Sequence, residues 1–197
     1  DFTNCGELSN CQSYDKWVKG LLQGNKFKKC VLIAGNHDIT MNSEYYENIG
    51  YPRFHRNRKQ DYNECQKVAK QHSIYLEDNG TQILNLNIYG TPWQPEFCDW
   101  AFMLKTEKEL NDKWKLMDQF EYINELDILI CHTPPYLHGD RTTNKFITKD
   151  NPNEYIYVGS KSLLNKIKEI KPKFVVFGHI HGGYSVSKHR GLDTIFI

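Results

Sequence analysis

The chain has 197 residues and a formal net charge of +1, with 39% hydrophobic and 25% charged residues. That balance predicts one soluble globular domain over residues 1–197 with a sizeable core. It gives no electrostatic case for a nucleic-acid or membrane partner; no apolar run approaches the roughly 20 residues of a bilayer span, and no signal peptide is visible.

In chain order, helices and strands alternate. Residues 14–23 carry Trp17, Val18, Leu21 and Leu22 at helical spacing, and Gly24 closes that helix. The apolar run 30–34 predicts a buried strand ending at Gly35. Residues 42–62 are polar and irregular, and 64–71 predict a short helix. Residues 74–76, 81–84 and 86–89 read as successive strands, with Asn79-Gly80 as a turn. Residues 105–121 predict a long helix with Leu110, Trp114 and Met117 along one stripe. A strand at 127–131 stops at His132, a helix at 159–170 is closed by Lys171-Pro172, and a strand follows at 174–177. Residues 184–187 and 194–197 predict a last hairpin around Arg190-Gly191. The pattern is a layered α/β domain without repeat or linker.

Three of these strands end in residues able to bind metal. They are followed by Gly35-Asn36-His37-Asp38, by His132, and by Gly178-His179-Ile180-His181. In open α/β sheets, ligands collect beyond the carboxyl ends of strands. Two histidines at i and i+2 can face two different ions, which suits a binuclear site. The six cysteines form no C-x-x-C pair, and Cys30 and Cys131 lie in apolar runs. They read as reduced thiols in a cytoplasmic protein.

Asn36-His37, His132 and Gly178-His179-Ile180-His181, in this order, resemble the signature of the calcineurin-like metallophosphoesterases. Asp1-Phe2-Thr3, Ser73-Ile74-Tyr75-Leu76-Glu77-Asp78, Ile88-Tyr89-Gly90-Thr91-Pro92-Trp93 and His132-Thr133-Pro134-Pro135 are similar to the metallophosphoesterase-domain-containing (MPPED-type) subgroup. The resemblance implies an α/β-β/α sandwich. It also implies a metal-dependent phosphoesterase acting on a small-molecule phosphate ester, phosphodiesters such as cyclic nucleotides rather than phosphoproteins. A hydroxide bridging two ions, Mn, Fe or Zn, attacks phosphorus in such sites.

Carried over by position, Asp1 bridges both metals. Asn36, His132 and His179 complete one shell, and His181 belongs to the other. His37 faces the scissile phosphate and assists catalysis, and Asn36 contacts substrate; Arg141, by its own chemistry and not by the resemblance, can hold a non-bridging phosphate oxygen or lie in an exposed turn. Asp38 either charges the His37 ring or caps a turn. The family's D-x-H motif has no match here and is expected before Asp1, on a first strand that this chain lacks. The chain is therefore read as truncated at both ends, holding at most one ion tightly. Retention of His179, which some members of the subgroup replace by glycine, favours an enzyme. The alternative is a non-catalytic metal-binding scaffold or regulatory module on the same fold. Thr133 stands where the subgroup has glycine and would narrow the pocket.

Some features stay open. Arg53-Phe54-His55-Arg56-Asn57-Arg58-Lys59 can attract a phosphate or nucleotide, or form a solvated loop face. Trp93, Phe97, Trp100 and Phe102 can wall a nucleobase or pack the core. His138-Gly139-Asp140-Arg141 reads as an exposed turn, and His55, His72 and His189 read as surface residues.

Overall fold

The computed structural model describes residues 1–25, 27–143 and 155–197. They fall into two units, Asp1–Glu77 with Glu96–Met103, and Asp78–Pro95 with Leu104–Ile197. All six cysteines are free thiols. No helix among the described residues is long and apolar enough to cross a membrane.

In the first unit a helix spans Leu8–Gln23, beginning well before the apolar stripe at 14–23. Its buried face is Cys11 and Val18, seven positions apart and therefore on one side, whereas Trp17 is 61% exposed. Cys11 acts as a small hydrophobe, which the stripe did not count. Gly24 ends the helix, donating its N–H to the Gly20 carbonyl. The helix Tyr62–Ala69 packs against it. Asp61 caps that second helix by accepting from the N–H groups of Asn63 and Glu64.

The segment read as irregular instead winds through short helical turns at Ser43–Tyr45, Tyr46–Gly50 and Tyr51–Phe54. Its anchor is Tyr46, fully buried, whose hydroxyl meets His55 Nδ1 at 2.9 Å and accepts from the Gln60 N–H at 2.8 Å. One buried aromatic with a satisfied hydroxyl leaves no periodic trace in sequence. Of the run 30–34 only Val31–Leu32 is strand, paired in parallel with Ile74–Tyr75. Beyond it the chain turns into the loop that carries Asn36, His37 and Asp38.

The second unit holds a six-stranded sheet in the order Ser187–Lys188, Ile195–Phe196, Phe174–Val176, Ile128–Cys131, Leu86–Thr91, Asn79–Ile83. The four inner strands are parallel to their neighbours, so their carboxyl ends share one rim. The two outer strands pair antiparallel. Leu129, Val175 and Phe196 form the sheet's share of the core. Helices Glu107–Trp114 and Lys161–Ile170 cover it with Leu110 and Trp114, and with Leu163 and Ile167. A capping box between Thr106 and Glu109 starts the first of these helices. The predicted long helix stops at Trp114 and tightens into a 3-10 segment, Lys115–Gln119, that still buries Met117. A hairpin of Arg141–Thr143 with Tyr155–Tyr157 had no signal in the apolar pattern.

Asn79 and Gly80 do not turn. They are paired strand residues opposite Gly90 and Tyr89, and the reversal occurs at Leu84 and Asn85, with φ of 52° and 64°. The reason is packing. A Cβ on Gly80 would lie 2.5 Å from the Phe120 ring, so the glycine makes room for that ring rather than for a turn.

Two histidines expected at the surface are buried. His55 is 7% exposed and His138 5%. His138 stacks on Phe196 at 3.8 Å, with its nitrogens on Ser187 Oγ at 3.1 Å and His189 Nδ1 at 3.0 Å. His72 bonds Asp15 at 2.7 Å. Burial pushes both the His55 and the His138 pKa below the ordinary histidine value, and the neighbouring His189 adds to this for His138.

Two outcomes follow. Gly80→Val forces the Phe120 ring to move and lowers unfolding free energy by about 1–3 kcal/mol in urea titration. The folded state also binds fewer protons at His55 and His138 than the unfolded chain does. Stability from these groups is complete above the unfolded value near 6.5 and declines as pH falls below it. The urea midpoint therefore drops between about pH 7.5 and 5.5, and His138→Gln makes that drop smaller.

Candidate functional site

In the first unit, the site residues hang on one carboxylate. Asp38 is fully buried. Its Oδ1 accepts from the Phe2 N–H at 3.1 Å, the Thr3 N–H at 2.8 Å and the Thr3 hydroxyl at 2.8 Å. Its Oδ2 accepts from the Gly35 N–H at 2.8 Å. Burial pushes the Asp38 carboxyl pKa up, and these N–H and O–H groups oppose that shift by favouring the charged form. The carboxylate ties the 1–3 segment to the 35–38 loop. With the two clamped together, the Asp1 carboxylate accepts the His37 backbone N–H at 2.9 Å. Asn36, between Gly35 and His37, is 3% exposed.

The same loop sets the His37 ring. Its Nδ1 lies 2.7 Å from the Asn4 carbonyl oxygen, which can only accept. Nδ1 therefore carries a proton, and Nε2 is the nitrogen left for chemistry. The ring also lies 4.2 Å from the Trp100 ring, and Trp100 lies 4.5 Å from Phe54. Asn4, not Asp38, holds the imidazole, while Asp38 holds the backbone under it.

In the second unit, the predicted strand ends behave as the parallel sheet requires. His132 follows Ile128–Cys131, is 3% exposed, and donates its N–H to the Thr91 carbonyl of the neighbouring strand at 3.2 Å. Its own carbonyl accepts the Gly178 N–H at 3.2 Å, joining the two histidine-bearing loops. His179 adopts a left-handed conformation with φ of 69°, uncommon for any residue but glycine. That backbone brings its ring edge-on to His132, with centroids 4.9 Å apart. Strain of this kind collects at functional sites. His181 starts a short 3-10 turn and is exposed.

The donors fit a divalent metal by type. The first unit offers the Asp1 carboxylate and the Asn36 amide, the second the imidazoles of His132, His179 and His181. This is an oxygen and nitrogen set without thiolate, suited to Mn, Fe or Zn. Within either unit, among the described residues, no three His, Cys, Asp or Glu side chains gather closely enough to hold an ion. The rings that do meet are His132 and His179.

Other candidate residues landed elsewhere. Arg141 is not in a turn but on a strand, with its guanidinium carbon 3.5 Å above the Tyr155 ring. Of the aromatic group, Phe102 is core, Phe97 is 52% exposed, and the Trp93 indole N–H donates to Asp78 at 2.6 Å. Trp100 meets His37. Thr133 is buried. Sequence reasoning missed Asn4, which acts through its backbone carbonyl, and so carries no side-chain signal. It named Trp100 only among other aromatics.

The sequence profile described as Calcineurin-like phosphoesterase matches residues 1–183. UPF0046 protein T07D4.2 of Caenorhabditis elegans is 34% identical, over 93% of this chain and 45% of that protein. Metallophosphoesterase domain-containing protein 1 of Homo sapiens is 31% identical, over 94% of this chain and 53% of that protein. The chain thus spans about half the length of these curated relatives. The crystal structure of TT1561 of Thermus thermophilus shares the fold, with a TM-score of 0.53 and 11% identity over 98% of this chain and 70% of that one.

Removing the Asp38 carboxylate strands several buried donors at once. Asp38→Ala is expected to lower unfolding free energy by about 3 kcal/mol or more, because each unsatisfied buried group costs roughly 1–3 kcal/mol. Asp38→Asn keeps one acceptor oxygen and loses less. Urea titration of both variants checks the order.

Proposed function

Since the chain belongs to the calcineurin-like phosphoesterase family, whose members are metal-dependent phosphoesterases, we propose that it hydrolyses phosphodiesters, cyclic nucleotides among them. The observation that carries this reading is the His37 ring. It is fixed by the Asn4 carbonyl at Nδ1 and backed by Trp100 at 4.2 Å, which leaves Nε2 as the nitrogen for proton transfer in this reading. The candidate ligands are Asp1 and Asn36 in the first unit and His132, His179 and His181 in the second, and the family generally uses two divalent ions. When bound, such ions neutralise phosphate charge and activate water at neutral pH.

The protein's own groups do the remaining work. The Asn4 carbonyl keeps the Nδ1 proton in place. In the imidazolium form, Nε2–H donates to the leaving ester oxygen, and neutral Nε2 takes a proton back in the next cycle. Trp100 restricts the ring plane, so the proton is presented in one direction. Asn36, held beside His37 on the same loop, offers its amide N–H to a phosphate oxygen. An ester with a poor alkoxide leaving group needs that proton; the preference for a diester rests on the resemblance to the family.

With Mn²⁺, the protein is expected to hydrolyse bis-p-nitrophenyl phosphate and cyclic AMP. His37→Ala should lower kcat for cyclic AMP by about 10²–10⁴-fold while bound Mn²⁺, measured by atomic emission, is unchanged. Turnover of p-nitrophenyl phosphate alone would remove the diester assignment. Loss of Mn²⁺ in the variant would make His37 a ligand instead of a proton donor.

A further inference from the structure

The first unit contains a cavity of about 820 Å³ that is lined by neither His37 nor any candidate metal ligand. Its wall is formed by the start of the helix Leu8–Gln23 and by the basic segment 52–58. Ser9, Phe54, His55, Arg56 and Arg58 contribute to it, together with one carboxylate, Glu7.

His55 is the informative wall residue. It is 7% exposed, and its Nε2 is buried without any hydrogen-bond partner. The protonation of that nitrogen follows from the ring's other side. Tyr46 Oη accepts the Gln60 N–H at 2.8 Å, so its own hydroxyl proton is free for His55 Nδ1 at 2.9 Å. In the tautomer in which Nδ1 accepts that proton, Nε2 carries the hydrogen. Burial pushes the His55 pKa down, which keeps the ring in this neutral form. A buried N–H donor without acceptor is a cost that native structures rarely leave in place. It asks for an oxygen.

The surroundings say which kind. The side chains of Arg56 and Arg58 are exposed and make no hydrogen bond or ion pair among the described residues. The helix start adds to them. Glu7 provides no side-chain cap, the Leu8 N–H is taken by Gln60 Oε1 at 3.1 Å, and the next residue, Ser9, lines the cavity. Two uncommitted guanidinium groups, a buried imidazole N–H and a helix N-terminus all favour phosphate. The volume exceeds what a bare phosphate needs and falls within the range of small-molecule sites. Phe54 supplies an apolar face, and Glu7 accepts from a hydroxyl or amino group.

We infer that this cavity binds a phosphorylated small molecule of nucleotide size. Its phosphate is held by His55 Nε2–H, Arg56 and Arg58, at a site separate from the phosphoesterase ligands.

Calorimetry with ADP on EDTA-treated protein tests this, because metal removal silences phosphate binding at the phosphoesterase centre. ADP is expected to bind, and to bind at least about tenfold more weakly to the double variant Arg56→Glu/Arg58→Glu. His55→Phe should weaken it similarly. The arginines are at the surface, so the double variant keeps the test valid if His55→Phe unfolds. His37→Ala should leave ADP affinity unchanged, and the arginine pair should leave Mn²⁺-dependent hydrolysis of bis-p-nitrophenyl phosphate unchanged. Absence of ADP binding, equal affinity in the arginine variant, or loss of binding in His37→Ala would each overturn the site. Inorganic phosphate binding as tightly as ADP would overturn the nucleotide-sized ligand.

Discussion

The buried carboxylate of Asp38 is the constraint on which the first unit's chemistry depends. A fully buried acid is costly unless it is richly hydrogen-bonded. Here the donors come from two stretches of chain more than thirty residues apart, Phe2-Thr3 and Gly35. The charge cannot be satisfied unless both stretches converge. Once they do, Asp1, Asn36 and His37 are neighbours with no further instruction, and Asn4 is placed to hold the imidazole. The loop that carries the candidate site residues is thus built by satisfying one charge rather than by packing.

The second unit reaches its donors by a different route. Parallel pairing of Leu86–Thr91, Ile128–Cys131 and Phe174–Val176 brings their carboxyl ends to one rim. The backbone bonds from His132 to Thr91 and from Gly178 to His132 extend that register into the loops. The sheet alone does not aim the second imidazole. The left-handed backbone at His179 does so, at a conformational cost that the surrounding strands and loops sustain. Rigidity where the strands end, and strain one residue later, are complementary parts of one positioning device.

Much of this was legible in the sequence, and the gaps have physical reasons. Strand exits were readable because short apolar runs stopping at Gly35, His132 and Gly178 are a local signal. The helix face of Cys11 and Val18 was not, because a thiol in a polar turn does not advertise burial. Asn79-Gly80 carried the strongest turn signal and was wrong, because Phe120 needed the space more than the chain needed the turn. The buried state of His55 and His138 was invisible because their partners, Tyr46 and Phe196, are distant in sequence or make no pattern with them. Local chemistry is written locally, and a long-range contact that displaces it is not.

The histidines show why such contacts matter for function. His37 and His55 are identical side chains on one unit, yet their ring protons are arranged oppositely. A carbonyl oxygen at Nδ1 forces that nitrogen of His37 to be the donor and leaves Nε2 for proton transfer. At His55 the Tyr46 hydroxyl, already accepting from Gln60, can donate to Nδ1, and in that tautomer Nε2 carries the hydrogen. In the neutral ring the first arrangement puts the hydrogen on Nδ1 and the second on Nε2, and what separates them is a single atom type at a distance below 3 Å.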